Sequence, residues 1–249
     1  MPEFAIYPSL KGRSVFVSGG GSGIGASIVE HLAAQGAKVA FVDINEPASK
    51  EVAAKTGALF LKCDIKDVQA YQAALAEVAG KRGAITVLVN NAAHDERHKL
   101  EDVTPEFWDD RIAVNLRHAF FAIQAVVPGM KKAGGGSIIN FSSISYHTMT
   151  ANLAVYQAAK AATIGMTRGL ARDLGGDKIR LNSITPGWIM TQRQIDKWLT
   201  PEAEAELMKA QVLKEKVYPP DIARMVLFLA ADDSRLISAQ NFVVDGGRM

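Results

Sequence analysis

The chain has 249 residues, of which 48% are hydrophobic and 22% charged, and its formal net charge is +2. That hydrophobic share belongs to a globular protein and excludes a disordered one, while so small a charge, with no Lys/Arg-rich run, gives no footprint for nucleic acid or an anionic membrane. The length suits a single α/β domain over residues 1–249, large enough to bury its own core.

One cysteine, Cys63, permits no internal disulfide and suits a reducing compartment. The opening Met-Pro-Glu-Phe-Ala-Ile-Tyr-Pro carries no basic patch followed by an apolar stretch. No apolar run reaches the roughly 20 residues of a membrane helix. A cytoplasmic protein is expected.

Short β-branched runs recur along the chain at Ser14–Ser18, Lys38–Asp43, Ala58–Lys62, Ile85–Asn90, Ser137–Ser142, Ile179–Ile184 and Asn241–Asp245. They are continuously apolar rather than alternating, as strands covered on both faces are. Helix-length segments separate them. The first places Ile24, Ile28, Leu32 and Ala33 on one face and stops at Gly36. Thr104-Pro105-Glu106 and Thr200-Pro201-Glu202 each set a cap, a first-turn proline and an early carboxylate, and so start helices. Strands alternating with helices predict a seven-stranded, parallel, doubly wound sheet flanked by helices. Residues 188–216 do not fit the alternation and read as a flap over a site.

The first strand runs into Ser18-Gly19-Gly20-Gly21-Ser22-Gly23-Ile24-Gly25, and a helix follows. Glycines at this crossover let the backbone approach a pyrophosphate, and the helix N-terminus offers free N–H groups and partial positive charge. Asp43 ends the second strand about 20 residues on, where a carboxylate accepts from both adenosine ribose hydroxyls and repels a 2′-phosphate. No Arg or Lys lies in the loop or directly after Asp43, which favours NAD over NADP. Capping of the next helix is the other reading of Asp43. Asp64, ending the third strand, could hydrogen-bond an adenine ring or cap a helix.

Tyr156 and Lys160 are four apart on a predicted helix and therefore share a face. A free tyrosine titrates near 10. An ammonium at about 4 Å and an effective dielectric near 20 favours the phenolate by about 4 kcal/mol, or about 3 pKa units. Ser142 and Ser143 end the fifth strand and Asn90-Asn91 the fourth, at the edge where open α/β sheets bind ligands. Asn115, a poor helix former, sits within a helical segment.

These motifs together resemble the short-chain dehydrogenase/reductase family over nearly the whole chain. Ser18-Gly19 with Gly23 and Gly25 stands for its Thr-Gly-x-x-x-Gly-x-Gly, and Asn90-Asn91-Ala92-Ala93 for its Asn-Asn-Ala-Gly. The resemblance implies a Rossmann domain binding NAD and a catalytic set of Asn115, Ser143, Tyr156 and Lys160, the family's serine lying 13 residues before its tyrosine. It implies cofactor contacts from Gly19, Ser22, Gly23, Ile24, Asp43, Asp64, Ile65, Asn91, Tyr156, Lys160, Pro186, Ile189 and Thr191. In the oxidation direction Tyr156 takes the hydroxyl proton, Ser143 orients the reacting oxygen, Lys160 lowers the tyrosine pKa and holds the nicotinamide ribose, and Asn115 holds a water that links Lys160 to solvent. It also implies a homotetramer paired through helices near Thr104–Lys132 and Ala154–Leu174.

More local stretches, including Ala5–Gly12, Asp95–Leu100, Asn115–His118 and Ser143–His147, are similar to bacterial aldose 1-dehydrogenases, which oxidise a sugar's anomeric carbon to a lactone. Polar loops agree with a hydroxyl-rich substrate: His94, Ser143, Ser145, His147, Tyr156 and Trp188 are its candidate contacts. A polyol, 3-oxoacyl or steroid substrate is the alternative, and a non-catalytic dinucleotide-binding redox sensor the alternative of another class. His94 and His98 are four apart, but Asp95 stands where a zinc-protease motif needs Glu, so no metal site is expected.

Overall fold

A computed structural model describes residues 4–249. Seven strands form one all-parallel sheet: β1 (Ser14–Ser18), β2 (Lys38–Asp43), β3 (Leu59–Lys62), β4 (Val87–Asn90), β5 (Gly136–Phe141), β6 (Ile179–Pro186) and β7 (Asn241–Val244). Their order is β3-β2-β1-β4-β5-β6-β7. The chain winds outward one way from β1 to β3 and then the other way from β4 to β7. The direction changes between β1 and β4, which opens a crevice above their C-terminal ends.

The continuous apolar runs now have their cause. Along each inner strand alternate side chains enter different cores: Val15, Val17, Phe41, Val89 and Ile139 pack on one face, and Phe16, Val42, Leu88 and Ile138 on the other. Helices α1 (Gly23–Ala34), α2 (Glu46–Thr56) and α9 (Pro219–Ala230) cover the first face. Helices α3 (Val68–Arg82), α5 (His118–Lys132) and α6 (Ala154–Leu174) cover the second. Helix α4 (Pro105–Ile112) leads into α5 through a wider π-helical turn at Ala113–Arg117. Helices α7 (Gln192–Trp198) and α8 (Pro201–Ala210) fill the stretch that broke the alternation. The two Thr-Pro-Glu starts are real: Thr104 Oγ1 accepts from Phe107 N and Thr200 Oγ1 from Ala203 N.

Strand limits differ from the sequence reading where a partner or a turn decides them. β3 starts at Leu59, β4 at Val87, and β5 is shifted one residue toward Gly136. β6 runs on to Pro186 because β7 pairs with it through Pro186 and Val244, the proline closing the strand as its last residue. β7 stops before Asp245, whose carboxylate accepts from Gly247 N and Met249 N, both at 2.8 Å, and so makes a turn.

A polar ladder crosses the otherwise apolar second core. Asn90 Nδ2 donates to Asn140 Oδ1 at 2.8 Å, Asn140 Nδ2 to Thr167 Oγ1 at 3.0 Å, and Thr167 Oγ1 to the Thr163 carbonyl at 2.8 Å, tying β4 to β5 and α6. Removing the middle member leaves the buried Asn90 amide without its acceptor and takes the one donor from Thr167 Oγ1. Asn140→Ala is therefore expected to lower stability by about 2–4 kcal/mol, read as a fall in the urea midpoint at unchanged m-value.

Candidate active site

The turn after β1 is a clamp between two strand ends. Ser18 Oγ accepts from the backbone N–H groups of Asn91 and Ala92, and Asn91 Nδ2 donates to the carbonyls of Ser18 and Gly19 at 3.0 Å each. The packing leaves no room for side chains: a Cβ on Gly25 would lie 1.8 Å from the Gly19 carbonyl oxygen, and one on Gly19 2.9 Å from Ala92 Cα. Gly19 and Gly23 also hold φ of +70° and +55°. The first turn of α1, from Ser22 through Ile24, thus lies bare beside the crevice, with its orphan N–H groups and dipole.

Asp43 reaches back to this turn. Its Oδ2 accepts from Gly21 N and its Oδ1 from Asn45 N, each at 2.9 Å. It does not cap α2; Asn45 does. Asp64 likewise leaves the capping of α3 to Asp67 and accepts from Lys66 N at 2.9 Å. Ile65 is buried in the wall beside it.

A cleft of about 930 Å³ runs along the C-terminal strand edge. Asp43, Asp64 and Ile65 line one part of it. Asn91, Ser143, Ser145, Tyr156, Lys160 and Pro186, Trp188, Ile189 and Thr191 line the rest. The residues fit a dinucleotide: the glycines leave the space a pyrophosphate needs, the α1 terminus supplies donors, and the Asp43 carboxylate ends the neighbouring strand on the same cleft.

Tyr156 and Lys160 lie on one face of α6, with Lys160 Nζ 5.5 Å from the centre of the tyrosine ring. Lys160 is only 2% exposed, and its ammonium donates to the Phe141 carbonyl at 2.9 Å. Burial pushes its pKa down to about 8. Of the two serines, Ser142 is committed elsewhere, its hydroxyl donating to the Lys160 carbonyl at 2.7 Å. Ser143 faces the phenol and draws the tyrosine toward its ionised form. The net shift is nonetheless upward: burial, then the charge of Asp95, raises Tyr156 above the ordinary phenol value, outweighing Ser143, Arg193 and Arg97. This corrects the expected three-unit fall. Desolvation opposes the phenolate more than the neighbouring cations favour it, and the lysine has itself lost affinity for its proton.

Asn115 does not line the cleft. It is 2% exposed in the π-helical turn, where its Nδ2 donates to the carbonyls of Arg111 and His94 and its Oδ1 accepts from His94 N. The side chain satisfies backbone groups around the widened turn and fixes the loop after β4. His94 lies in the wall, lowered in pKa by burial and by the charges of Arg193 and Arg111, and its Nδ1 accepts from Arg111 at 2.5 Å. It is thus a neutral imidazole with the proton on Nε2. His147 is not brought to the cleft: it is exposed and stacks on Tyr146 at 4.1 Å, because the turn at Ile144–Tyr146 carries it outward. The His98 ring accepts from Val155 N, away from His94, and no group of three or more metal-type side chains occurs among the described residues. No helix among them is long and apolar enough to cross a membrane.

A family model described as Enoyl-(Acyl carrier protein) reductase matches residues 19–248. The chain belongs to the short-chain dehydrogenase/reductase family. It is 49% identical to a D-xylose 1-dehydrogenase of Caulobacter vibrioides over 98% of each chain. It is also 49% identical to the "Probable galactose dehydrogenase GalD" of Rhizobium meliloti, over 97% of this chain and 96% of that one. A crystal structure from Sinorhizobium meliloti 1021 superposes with a TM-score of 0.90 at 30% identity, covering 97% and 98%. As a member of this family the protein is an oxidoreductase that works with NAD(P) on a small molecule.

Asp95, Arg111, Arg193 and Gln194 also line this dehydrogenase's cleft, and none of them is among the site residues expected from the sequence. Arg111 is only 13% exposed and bridges Glu96, at 2.5 Å, and Asp110. Its one advance signal was its place one turn before Asn115. Arg193 and Gln194 had none, because the path of the chain after β6 follows no periodicity.

Gly25→Ala tests the clamp. The new methyl group must displace the Gly19 carbonyl, so NADH affinity by fluorescence titration is expected to fall about 10-fold or more, with a lower Tm. Binding at the parental affinity would show that the turn does not need this close approach.

Proposed function

We propose that the protein is an NAD-dependent aldose 1-dehydrogenase, which oxidises the anomeric carbon of a ring-form sugar and yields the lactone. The observation that carries the reading is the meeting of Ser143, Tyr156 and Lys160 in a cleft whose wall also presents His94, Asp95, Ser145 and Gln194 beside them. Ser145 supports it: this serine is 8% exposed, lines the cleft, and its Oγ has no hydrogen-bond partner. A buried hydroxyl without a partner suits a substrate rich in hydroxyls and penalises an apolar one. The names of the D-xylose and galactose relatives point the same way.

When bound, NAD+ supplies the hydride acceptor and a positive charge. Tyr156 accepts the anomeric hydroxyl proton, and Ser143 donates to the same oxygen and orients it. Lys160 keeps one N–H on the Phe141 carbonyl and has two more for the nicotinamide ribose and the phenol's surroundings. Asn115 acts through the π-helical turn, where a widened backbone can hold the water of a proton path from Lys160. Gly19, Ser22, Gly23 and Ile24 hold the pyrophosphate, Asp43 the adenosine ribose, Asp64 and Ile65 the adenine, and Asn91, Pro186, Ile189 and Thr191 the nicotinamide half. His94, Ser145 and Trp188 contact the sugar. The Trp188 indole N–H is already given to Gln194 at 2.9 Å, which leaves its ring face for the substrate.

Selectivity for NAD rests on Asp43, whose carboxylate is followed by Ile44 and Asn45 rather than by a cation. The chain is one domain, with residues 188–216 as its substrate flap. An apolar groove of about 430 Å³ between α5 and α6, lined by Phe120, Ile123, Val127 and Leu170, supports pairing of these helices in a homotetramer. A buried, unpaired Cys63 suits a reducing, cytoplasmic setting.

A panel of D-xylose, L-arabinose and D-galactose with NAD+, followed as NADH absorbance, is expected to show turnover with at least one. No aldose turnover beside good turnover of a polyol or a 3-oxoacyl ester would replace the reading. Tyr156→Phe is expected to lower kcat by about 10²–10⁴-fold while NADH still binds. Because the phenol must lose its proton and its pKa is raised, kcat/KM for oxidation is expected to climb with pH above neutrality; a flat profile would remove Tyr156 as the base. Asp43→Ala is expected to raise the KM for NAD+ about 10-fold or more and to narrow the preference over NADP+.

A further inference from the structure

Asp95 follows His94 in the loop after β4, and its side chain is 18% exposed in the cleft wall. Two side chains from α7 hold it from the far side of the cleft. Arg193 Nη1 donates to its Oδ1 at 2.5 Å, and Gln194 Nε2 to its Oδ2 at 3.2 Å. Gln194 is itself fixed, its Oε1 by the Trp188 indole and its backbone N–H by Thr191 Oγ1 at 3.3 Å. A second contact joins the same two segments, the Arg97 guanidinium lying 5.1 Å above the Trp198 ring.

Each carboxylate oxygen can accept about two hydrogen bonds, and here each has one partner. The group is therefore aimed and held, yet keeps acceptor capacity on a wall shared with Ser143, Ser145 and Tyr156. Its charge is felt at the phenol, where it is the second cause of the raised pKa. A carboxylate partly withdrawn from water in this way prefers a hydroxyl donor to a methylene.

We propose that Asp95 is a specificity-determining acceptor for a ring hydroxyl of the sugar away from the anomeric carbon, presented by the segment 188–216 through Arg193 and Gln194. The assignment rests on the aldose reading and deepens it. A sugar that lacks the matching hydroxyl covers Asp95 and leaves its acceptor unmet, and that loss is what the site discriminates on. The same two bonds carry α7 down onto the cleft, so recognition and covering of the sugar share one group.

The test uses D-xylose and its 2-, 3- and 4-deoxy analogues, with kcat and KM measured for sugar and for NAD+. The parent enzyme is expected to disfavour one deoxy analogue by about 10- to 100-fold in kcat/KM. In Asp95→Asn that preference is expected to collapse toward unity, with the KM for NAD+ unchanged. Arg193→Ala keeps the carboxylate but loosens the flap, and is expected to lower kcat/KM for all four sugars alike while preserving their ratio. If Asp95→Asn also lowers all four by one common factor, Asp95 only fastens the flap and the assignment is overturned. A parent enzyme that oxidises D-xylose but treats every deoxy analogue equally overturns it as well. Should Asp95→Asn fail to fold, as judged by Tm and NADH binding, Asp95→Ser is read in the same way. A parent enzyme that oxidises no aldose at all overturns the underlying aldose reading, and this assignment with it.

Discussion

The rest of the site depends on an ammonium kept out of water. Lys160 is almost fully buried on α6, where its charge is countered only by the Phe141 carbonyl and by whatever the cleft holds. Burial of such a group is unfavourable and is tolerated because the elements around it are fixed by other contacts. The Ser142 hydroxyl ties the lysine's own carbonyl to the end of β5, and the Asn90–Asn140–Thr167 ladder ties α6 to the middle strands. A cation held so rigidly cannot turn toward solvent. It can only face the phenol and the ligand beside it.

The same constraint explains why tyrosine and lysine are both displaced from their ordinary proton affinities, in opposite directions. Burial raises the phenol and lowers the ammonium, so desolvation shifts each toward its neutral form, although Lys160, at about 8, stays charged at neutral pH. A bound cation would move the balance toward phenolate. On the proposed reading, the base is thereby made ready chiefly when the oxidised cofactor is present, which couples the proton step to the group that takes the hydride.

Sheet topology supplies the second requirement, that chemistry from distant parts of the sequence meet at one edge. Reversal of the winding direction between β1 and β4 opens the crevice, and four hydrogen bonds from Asn91 and Ala92 to Ser18 and Gly19 close its base. Above that clamp stand α6, which carries Tyr156 and Lys160, and variable segments: the turn to α1, the stretch from Asn91 to Arg97, the Ser143 turn, and the segment after Pro186. A rigid floor with variable walls lets one family keep its hydride chemistry while changing its substrates.

The sequence alone determined the layered α/β architecture, since continuous apolar runs separated by helix-length segments have one economical arrangement, a parallel sheet covered on both faces. It also singled out the glycine turn, Asp43, and the Ser143–Tyr156–Lys160 set, which the fold brings to one cleft, because their spacings are local or carried by a family pattern. Tertiary structure alone decided the sign of the tyrosine shift, which depends on how much water the fold removes rather than on the four-residue spacing. It placed Asn115 behind the cleft and His147 outside it, although both are polar and near motifs. It also brought Arg193 and Gln194 to Asp95 across 98 and 99 residues of chain. Contacts between two irregular segments follow no periodicity, so only the folded path of the backbone can bring such groups within hydrogen-bonding distance.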